Sequence, residues 1–161
     1  MKVPTRWRVS RICKAFVWRA ALAIAATAPG VAAAALGGDV SSIEADRVHM
    51  KAMLVRTESG LFTVHQMRTA SGTTVRELVS ASGVVFAVSW KGPFLPDLRQ
   101  TLGEYFPIYQ AAPRTGRTGH SHFAVRRADL VVLSLGHPRA FSGLAYVPKL
   151  VPAGVSIDQL Q

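Results

Sequence analysis

The sequence predicts a mainly β fold of the α+β class: a single antiparallel β-sheet meander with one or two short helices packed on it. Two observations predict the sheet: short runs of alternating apolar and polar residues, and small glycine-containing turns that separate them. A third predicts a helix, because leucines recur at helical spacing behind a proline and an aspartate. All three patterns are clearest in residues 71–106, around which the rest of the chain is organised.

The first predicted element is a helix near residues 41–51. Ser41 and Glu44 have the spacing of a capping box, in which each side chain would satisfy a free backbone N–H. Ile43, Val48 and Leu54 give an imperfect apolar stripe. We therefore expect a short amphipathic helix that ends before the turn at Gly60.

Three strands are predicted next, over residues 61–69, 73–80 and 84–90. The second carries Arg76 and Glu77, so part of its length is expected near solvent. The third is apolar or small on both sides, which is typical of a central strand covered on both faces. Strict alternation would place four of its side chains on one face: Val84, Phe86, Val88 and Trp90.

A short helix is predicted after the third strand, over residues 95–103. Pro96 suits the first helical position, Asp97 suits the positive N-terminal end, and Gly103 suits the stop. Leu95, Leu98 and Leu102 would pack on the sheet. The aromatic residues at 105, 106 and 109 are expected to close one edge of the core.

The last third of the chain is predicted to hold a loop and three more strands. Residues 111–122 contain no large apolar side chain and predict a mobile loop. Strands follow at 123–127, 129–135 and 140–147, with a turn at 136–139. Residues 156–160 predict one helical turn.

The first 34 residues have the pattern of a secretory signal peptide. A basic segment without acids precedes a short apolar run and small residues suited to cleavage, after Ala34 or Ala33. The apolar run is shorter than the roughly 20 residues of a membrane-spanning helix. We expect residues 35–161 to form a single exported domain, in the periplasm or outside a Gram-negative cell, with no stable transmembrane span after cleavage.

Charge and cysteine content change once the leader is set aside. Six of the 19 basic residues and none of the 9 acidic residues lie in the first 34 positions, which leaves 13 basic residues and a net charge of +4. The overall net charge of +10 is therefore weak evidence for nucleic-acid binding, and no nucleic-acid partner is expected. The single cysteine, Cys13, lies in the leader, so the predicted mature domain has neither a disulfide nor a thiol nucleophile.

The predicted loop carries the best candidate binding surface. Its cations suit an anionic envelope component such as a lipid headgroup or an acidic polysaccharide, although a solvated loop has the same composition. His120 and His122, with His137, also define a metal-binding alternative, which the neighbouring arginines oppose. The candidate ligand-binding residues are Arg114, Arg117, His120, His122 and His137.

No stretch carries a recognisable catalytic motif. A small hydrolase using His137 and Ser142, with Asp97 or Asp129 as the acid, is an alternative without a supporting nucleophile-elbow motif. Ser142 and Gly143 are interpreted instead as a turn or bulge. No catalytic residue, resident metal or cofactor is assigned.

Several segments of the chain carry a family resemblance: residues 35–38, 75–77, 83–93, 96–98, 102–106, 137, 141–143 and 152–155. Together they resemble the bacterial domain-of-unknown-function 2844 family, small exported proteins with no assigned activity. The resemblance covers essentially the whole predicted mature chain. It implies export and a single domain, and it supplies no catalytic residues. We therefore expect a non-enzymatic binding or assembly module of the envelope, with an envelope partner that the sequence does not identify.

Overall fold

The computed structural model describes residues 36–113 and 122–160. Within these residues it contains a single antiparallel sheet of seven strands, with short helices packed against one face, which confirms the predicted fold class. The strands are β1 (Met53–Ser59), β2 (Phe62–Arg68), β3 (Thr74–Ser80), β4 (Val85–Gly92), β5 (His122–Arg126), β6 (Val131–His137) and β7 (Ala140–Tyr146). The α-helices are α1 (Ile43–His49), α2 (Leu98–Leu102) and α3 (Phe106–Ala111). Single 3₁₀ turns lie at Val40–Ser42, Gly103–Tyr105, Pro148–Leu150 and Ile157–Leu160.

The strand order is β1-β2-β3-β4-β7-β6-β5. The first four strands form a meander, and the last three run back toward β4 from the other edge. β4 therefore lies in the middle, hydrogen-bonded to β3 and β7, and every residue from Val85 to Trp90 is buried. The prediction that this strand is central and covered on both faces is confirmed.

A β-bulge changes which side chains share a face of β4. Val79 lies opposite Val85, whereas Leu78 lies opposite Ala87, so Phe86 is the extra residue. A bulge interrupts the period-two alternation. The expectation that Phe86 shares a face with Val88 and Trp90 is therefore wrong: Val88 and Trp90 join the core under the helices, and Phe86 joins the core on the opposite face.

The two faces of the sheet have separate cores. The helix-covered core includes Leu36, Ile43, Met67, Val75, Val88, Trp90, Leu102 and Val132. The opposite core is smaller and lies against residues 148–160, here called the C-terminal segment, whose Leu160 is fully buried. It contains Phe62, Val64, Leu78, Phe86, Ala87, Leu144 and Tyr146. Among the described residues, the C-terminal segment covers one half of this second face and leaves the other half open.

The first strand was not predicted. The chain leaves α1 at His49 and turns through Lys51, whose φ is 48°, so Leu54 lies in β1 rather than on a helical stripe. The capping box is also wrong. The carboxylate of Asp39 accepts the Ser41 N–H at 2.8 Å, and Glu44 pairs with Arg47 at 2.6 Å.

The segment after β4 follows the prediction in part. Asp97 is the N-cap of α2 and accepts the Arg99 N–H at 2.9 Å, while Leu98 and Leu102 are buried as expected. Leu95 lies outside the helix and is 44% exposed, so the expectation that it packs on the sheet is wrong. Tyr105 ends a 3₁₀ turn, and Phe106 and Tyr109 lie in α3, a helix that was not predicted. The Tyr109 ring meets the Phe123 ring edge-on at 5.0 Å and closes one edge of the core, as expected.

Two predicted regions lie outside the described residues: the leader at residues 1–34 and most of the basic loop, residues 114–121. Among the residues that are described, no helix is long and apolar enough to cross a membrane.

A candidate ligand-binding face

The half of the sheet face that the C-terminal segment leaves uncovered is concave. It encloses a volume of about 540 Å³ and is lined from four adjacent strands, β3, β4, β7 and β6, with Gln66 contributed by β2. We call this region the open half. Its lining residues are Gln66, Thr74, Arg76, Ser89, Trp90, Lys91, Leu133, Leu135, Ser142, Gly143 and Leu144.

The register of the sheet builds the open half as two rows of neighbouring side chains. Residues directly opposite one another on antiparallel strands share a face, so each row crosses the sheet on one side. The first row is Gln66, Arg76, Ser89, Leu144, Leu133 and Ala124. The second row is Arg68, Thr74, Lys91, Ser142 and Leu135, and the backbone of His122 pairs with Leu135 at its end.

The two rows have a polar end and an apolar end. On β2 to β4 they contain Arg68, Arg76 and Lys91, and neither row contains a carboxylate. These three cations make no ion pair with any described residue. On β6 the rows continue into Leu133 and Leu135, the latter 45% exposed. The open half therefore has an uncompensated positive charge beside an apolar surface.

Trp90 packs against the central strands on the face opposite the open half. Its side chain is 2% exposed on the helix-covered face, which confirms that it is buried. The indole lies over Gly143 of β7, and a Cβ at Gly143 would lie 2.8 Å from the Leu133 carbonyl oxygen and closer still to the ring. Ser142 and Gly143 are thus in the middle of a strand, and their interpretation as a turn or bulge is wrong.

Two of the five candidate ligand-binding residues, His122 and His137, lie on strands at the apolar end of this face. Arg114, Arg117 and His120 lie outside the described residues. His122 begins β5 opposite Leu135, and His137 ends β6 opposite Ala140. The register therefore brings the backbones of His122 and His137 to the same end of the sheet. Over residues 36–113 and 122–160, no group of three metal-ligating side chains is found.

The residues of the hydrolase alternative are not assembled into a triad. Ser142 lies in the second row, and His137 lies diagonally from it across the β6–β7 pair. Asp129 binds Arg127 at 3.1 Å, at the far end of β6 from His137. Asp97 caps α2 on the helix side of the sheet. Neither proposed acid is therefore placed to orient the imidazole.

A buried polar cluster under the helices was missed from the sequence. Asp46 of α1 and Glu77 of β3 are 0% exposed, and the Gln100 amide of α2 donates a hydrogen bond to Asp46. His65 lies beside Glu77 on β2 and is 8% exposed. The expectation that Glu77 lies near solvent is wrong. Its alternation with Val75 and Val79, both in the helix-covered core, was the signal that could have placed it there.

The protonation of this cluster follows from burial. Burial raises the pKa of Glu77 well above its ordinary value, and the nearby Asp46 carboxyl raises it further. Neither Glu77 oxygen has a hydrogen-bond partner of normal geometry, so we attribute the raised pKa to burial and charge rather than to a formed hydrogen bond with Asp46. Burial lowers the pKa of His65, and the positive charge of Arg56 lowers it further. Glu77 is thus held neutral under conditions in which an exposed carboxyl ionises.

The chain was compared with protein families, curated proteins and solved structures. No curated protein and no solved structure matches the chain. One family model does match, over residues 32–160, and its description is "Protein of unknown function (DUF2844)". The match confirms the family resemblance found in the sequence, and the chain belongs to this family.

Proposed function

We propose that this protein is an exported, non-enzymatic binding module of the bacterial envelope, and that it holds an anionic ligand on the open half of its sheet. One observation carries the proposal: the lining contains Arg76 and Lys91, with Arg68 beside them, and no carboxylate. A protein surface usually places opposite charges close together, so cations that face an open concavity without a partner favour an anion.

Hydroxyl groups support the same kind of ligand. Thr74, Ser89 and Ser142 lie in the two rows between or beside the cations and can donate hydrogen bonds to phosphate or carboxylate oxygens. The guanidinium of Arg76 can bind two oxygens of one such group at once. Phosphate on a lipid headgroup and carboxylate on an acidic polysaccharide offer this chemistry in the envelope.

The site differs from the loop predicted from the sequence, but the two are connected. The backbone of His122, the last candidate residue of the loop, pairs with that of Leu135, which lines the open half. A ligand held by Arg76 and Lys91 would extend across Leu135 toward this end of the sheet. The proposal therefore keeps the anionic partner and moves the main contacts from the loop to the sheet.

Binding of defined anions to the purified protein tests the proposal. Inorganic phosphate, a short-chain phosphatidylglycerol below its micelle concentration and an alginate oligosaccharide would be titrated by calorimetry at low salt. We expect at least one to bind and the affinity to fall as salt rises. Arg76→Ala with Lys91→Ala should weaken that binding roughly 10- to 100-fold, because a hydrogen bond to a charged group contributes about 1.5–3 kcal/mol.

Lys149→Ala is the matched control, since Lys149 is an exposed cation in the Pro148–Leu150 turn outside the open half. If Lys149→Ala weakens binding as much as the double variant does, the ligand is attracted by net charge alone. The absence of binding by all three probes, or equal binding by the double variant and the wild type, would reject the open half as the site.

A further inference from the structure

The outer edge of β1 has features that fit a second copy of the same edge. β1 is the first strand of the sheet and is hydrogen-bonded only to β2 among the described residues. An unpaired strand edge presents a row of backbone N–H and C=O groups that another strand can complete. Proteins protect such edges with charged side chains, which are considered below for β1, or with a proline, a bulge or a very short strand.

β1 lacks the last three of these protections. It is seven residues long, contains no proline, and pairs with β2 through seven consecutive partners without a bulge. Six of its seven residues are exposed. Two are large and apolar: Met53 is 78% exposed and Val55 is 56% exposed. The edge is therefore straight, accessible and partly apolar.

Its charges are self-complementary. Arg56 and Glu58 are the only charged residues of β1, and they lie on the same face, two residues apart. Their side chains are 62% and 81% exposed and approach to 3.4 Å. A pair this exposed contributes little to the stability of one copy, so exchanging partners costs little. Because the two charges cancel, the edge has no net charge to repel an identical edge.

We propose that two copies of this protein pair antiparallel through β1, about a two-fold axis at Thr57. A two-fold axis normal to the sheet keeps the same face of both copies on the same side. Centred on Thr57, it places Arg56 of each copy opposite Glu58 of the other. Centring the axis on Arg56 instead would oppose two arginines, and centring it on Val55 would leave both Glu58 side chains without a cation opposite.

The pairing closes the assembly at two copies. Each β1 has one free edge, and the two-fold contact uses both, so the product is a continuous sheet of fourteen strands with β5 at each end. The open halves of both copies then lie on the same side of this sheet, with Met53 and Val55 of each copy between them. The inference is independent of which ligand the open half holds.

Charge reversal tests the pairing and its register together. The mass of the purified protein would be measured by sedimentation velocity from about 1 to 200 μM, and we expect a monomer–dimer equilibrium. Arg56→Glu gives an edge with two acids, and Glu58→Arg gives an edge with two bases. Each single variant should dimerise at least about tenfold more weakly, because like charges then oppose each other twice.

Mixing the two single variants should restore a heterodimer, and the double swap Arg56→Glu with Glu58→Arg should restore the homodimer. Lys149→Glu is the matched control and should leave the dimer unchanged. Circular dichroism and thermal midpoints would show that each variant folds. A wild type that stays monomeric at 200 μM overturns the proposal. So does a dimer that survives both single reversals, because its contact or its register must lie elsewhere.

Discussion

Glu77 makes the stability of this protein depend on pH in a direction opposite to that of most carboxylates. The side chain is 0% exposed beneath α1, and burial followed by the charge of Asp46 raises its pKa well above 4.5. Glu77→Gln replaces the protonated carboxyl by an amide of nearly the same shape that stays neutral at every pH. Like the protonated carboxyl, the amide carries a hydrogen-bond donor.

The direction of this pH dependence is set by the number of protons bound in the folded and unfolded states. Unfolded, Glu77 loses its proton near pH 4.5, whereas folded it keeps the proton to a higher pH. Its contribution to folding is therefore complete below pH 4.5 and is lost as the pH rises toward the folded pKa, by about 1.4 kcal/mol per pH unit. His65 acts in the opposite sense below pH 6.5, because its pKa is lowered in the folded protein.

Urea unfolding of both proteins at half-unit steps from pH 4.5 to 8.5 measures the effect. We expect the free energy of unfolding of Glu77→Gln, relative to wild type, to increase by about 1.4 kcal/mol per pH unit for as long as folded Glu77 remains protonated. His65 is present in both proteins, so its contribution to the pH dependence cancels in this difference. Glu104→Gln, an exposed carboxyl near α2, is the matched control. A difference that stays constant across this range would refute the reasoning.

Four further predictions test the fold and the processing of the chain. Trp90→Ala should cost about 3–5 kcal/mol, since the indole is 2% exposed, and a thermal midpoint close to that of the wild type would mean that the side chain is not packed as described. Gly143→Ala should destabilise the protein by about 1–3 kcal/mol, because the added methyl group overlaps the Trp90 ring. Combined with Trp90→Ala, it should cost less than the sum of the two single changes. Strict additivity in urea unfolding would argue against that contact. Asp97→Ala should cost about 1 kcal/mol through loss of the α2 cap, whereas Asp97→Asn should cost much less, and equal losses would point to charge rather than capping. Cleavage after Ala34 or Ala33 should appear in the mass of protein recovered from fractionated cells, and full-length protein found in the cytoplasm would contradict export.

The sheet was predictable from the sequence where the pattern is local. The turn at Gly83, where φ is 83°, and the apolar run that follows it identify β4 as a central strand without knowledge of its neighbours. The bulge at Phe86 was not predictable, since it depends on how β4 pairs with β3. β1 was missed because six of its seven residues are exposed, so no buried face imposes an alternation on its sequence.

The candidate site was less accessible from the sequence than the fold. Arg76 and Lys91 lie on consecutive strands of one predicted hairpin, whereas Leu135 lies on β6 and reaches the same face only because β7 inserts between β4 and β6. No local spacing encodes that order. His120 and His122 are close in sequence, which suggested a shared site. The residues that share a face of a sheet are determined by strand pairing rather than by closeness in sequence.

The C-terminal segment determines how much of the sheet remains available. Leu160 is fully buried with Phe62, Phe86 and Tyr146 beneath the segment, on the same side of the sheet as the cationic rows. The segment therefore covers an aromatic surface that lies next to the cationic rows. Removing residues 151–160 would expose this surface, and the open half proposed as the binding face would become longer and more apolar.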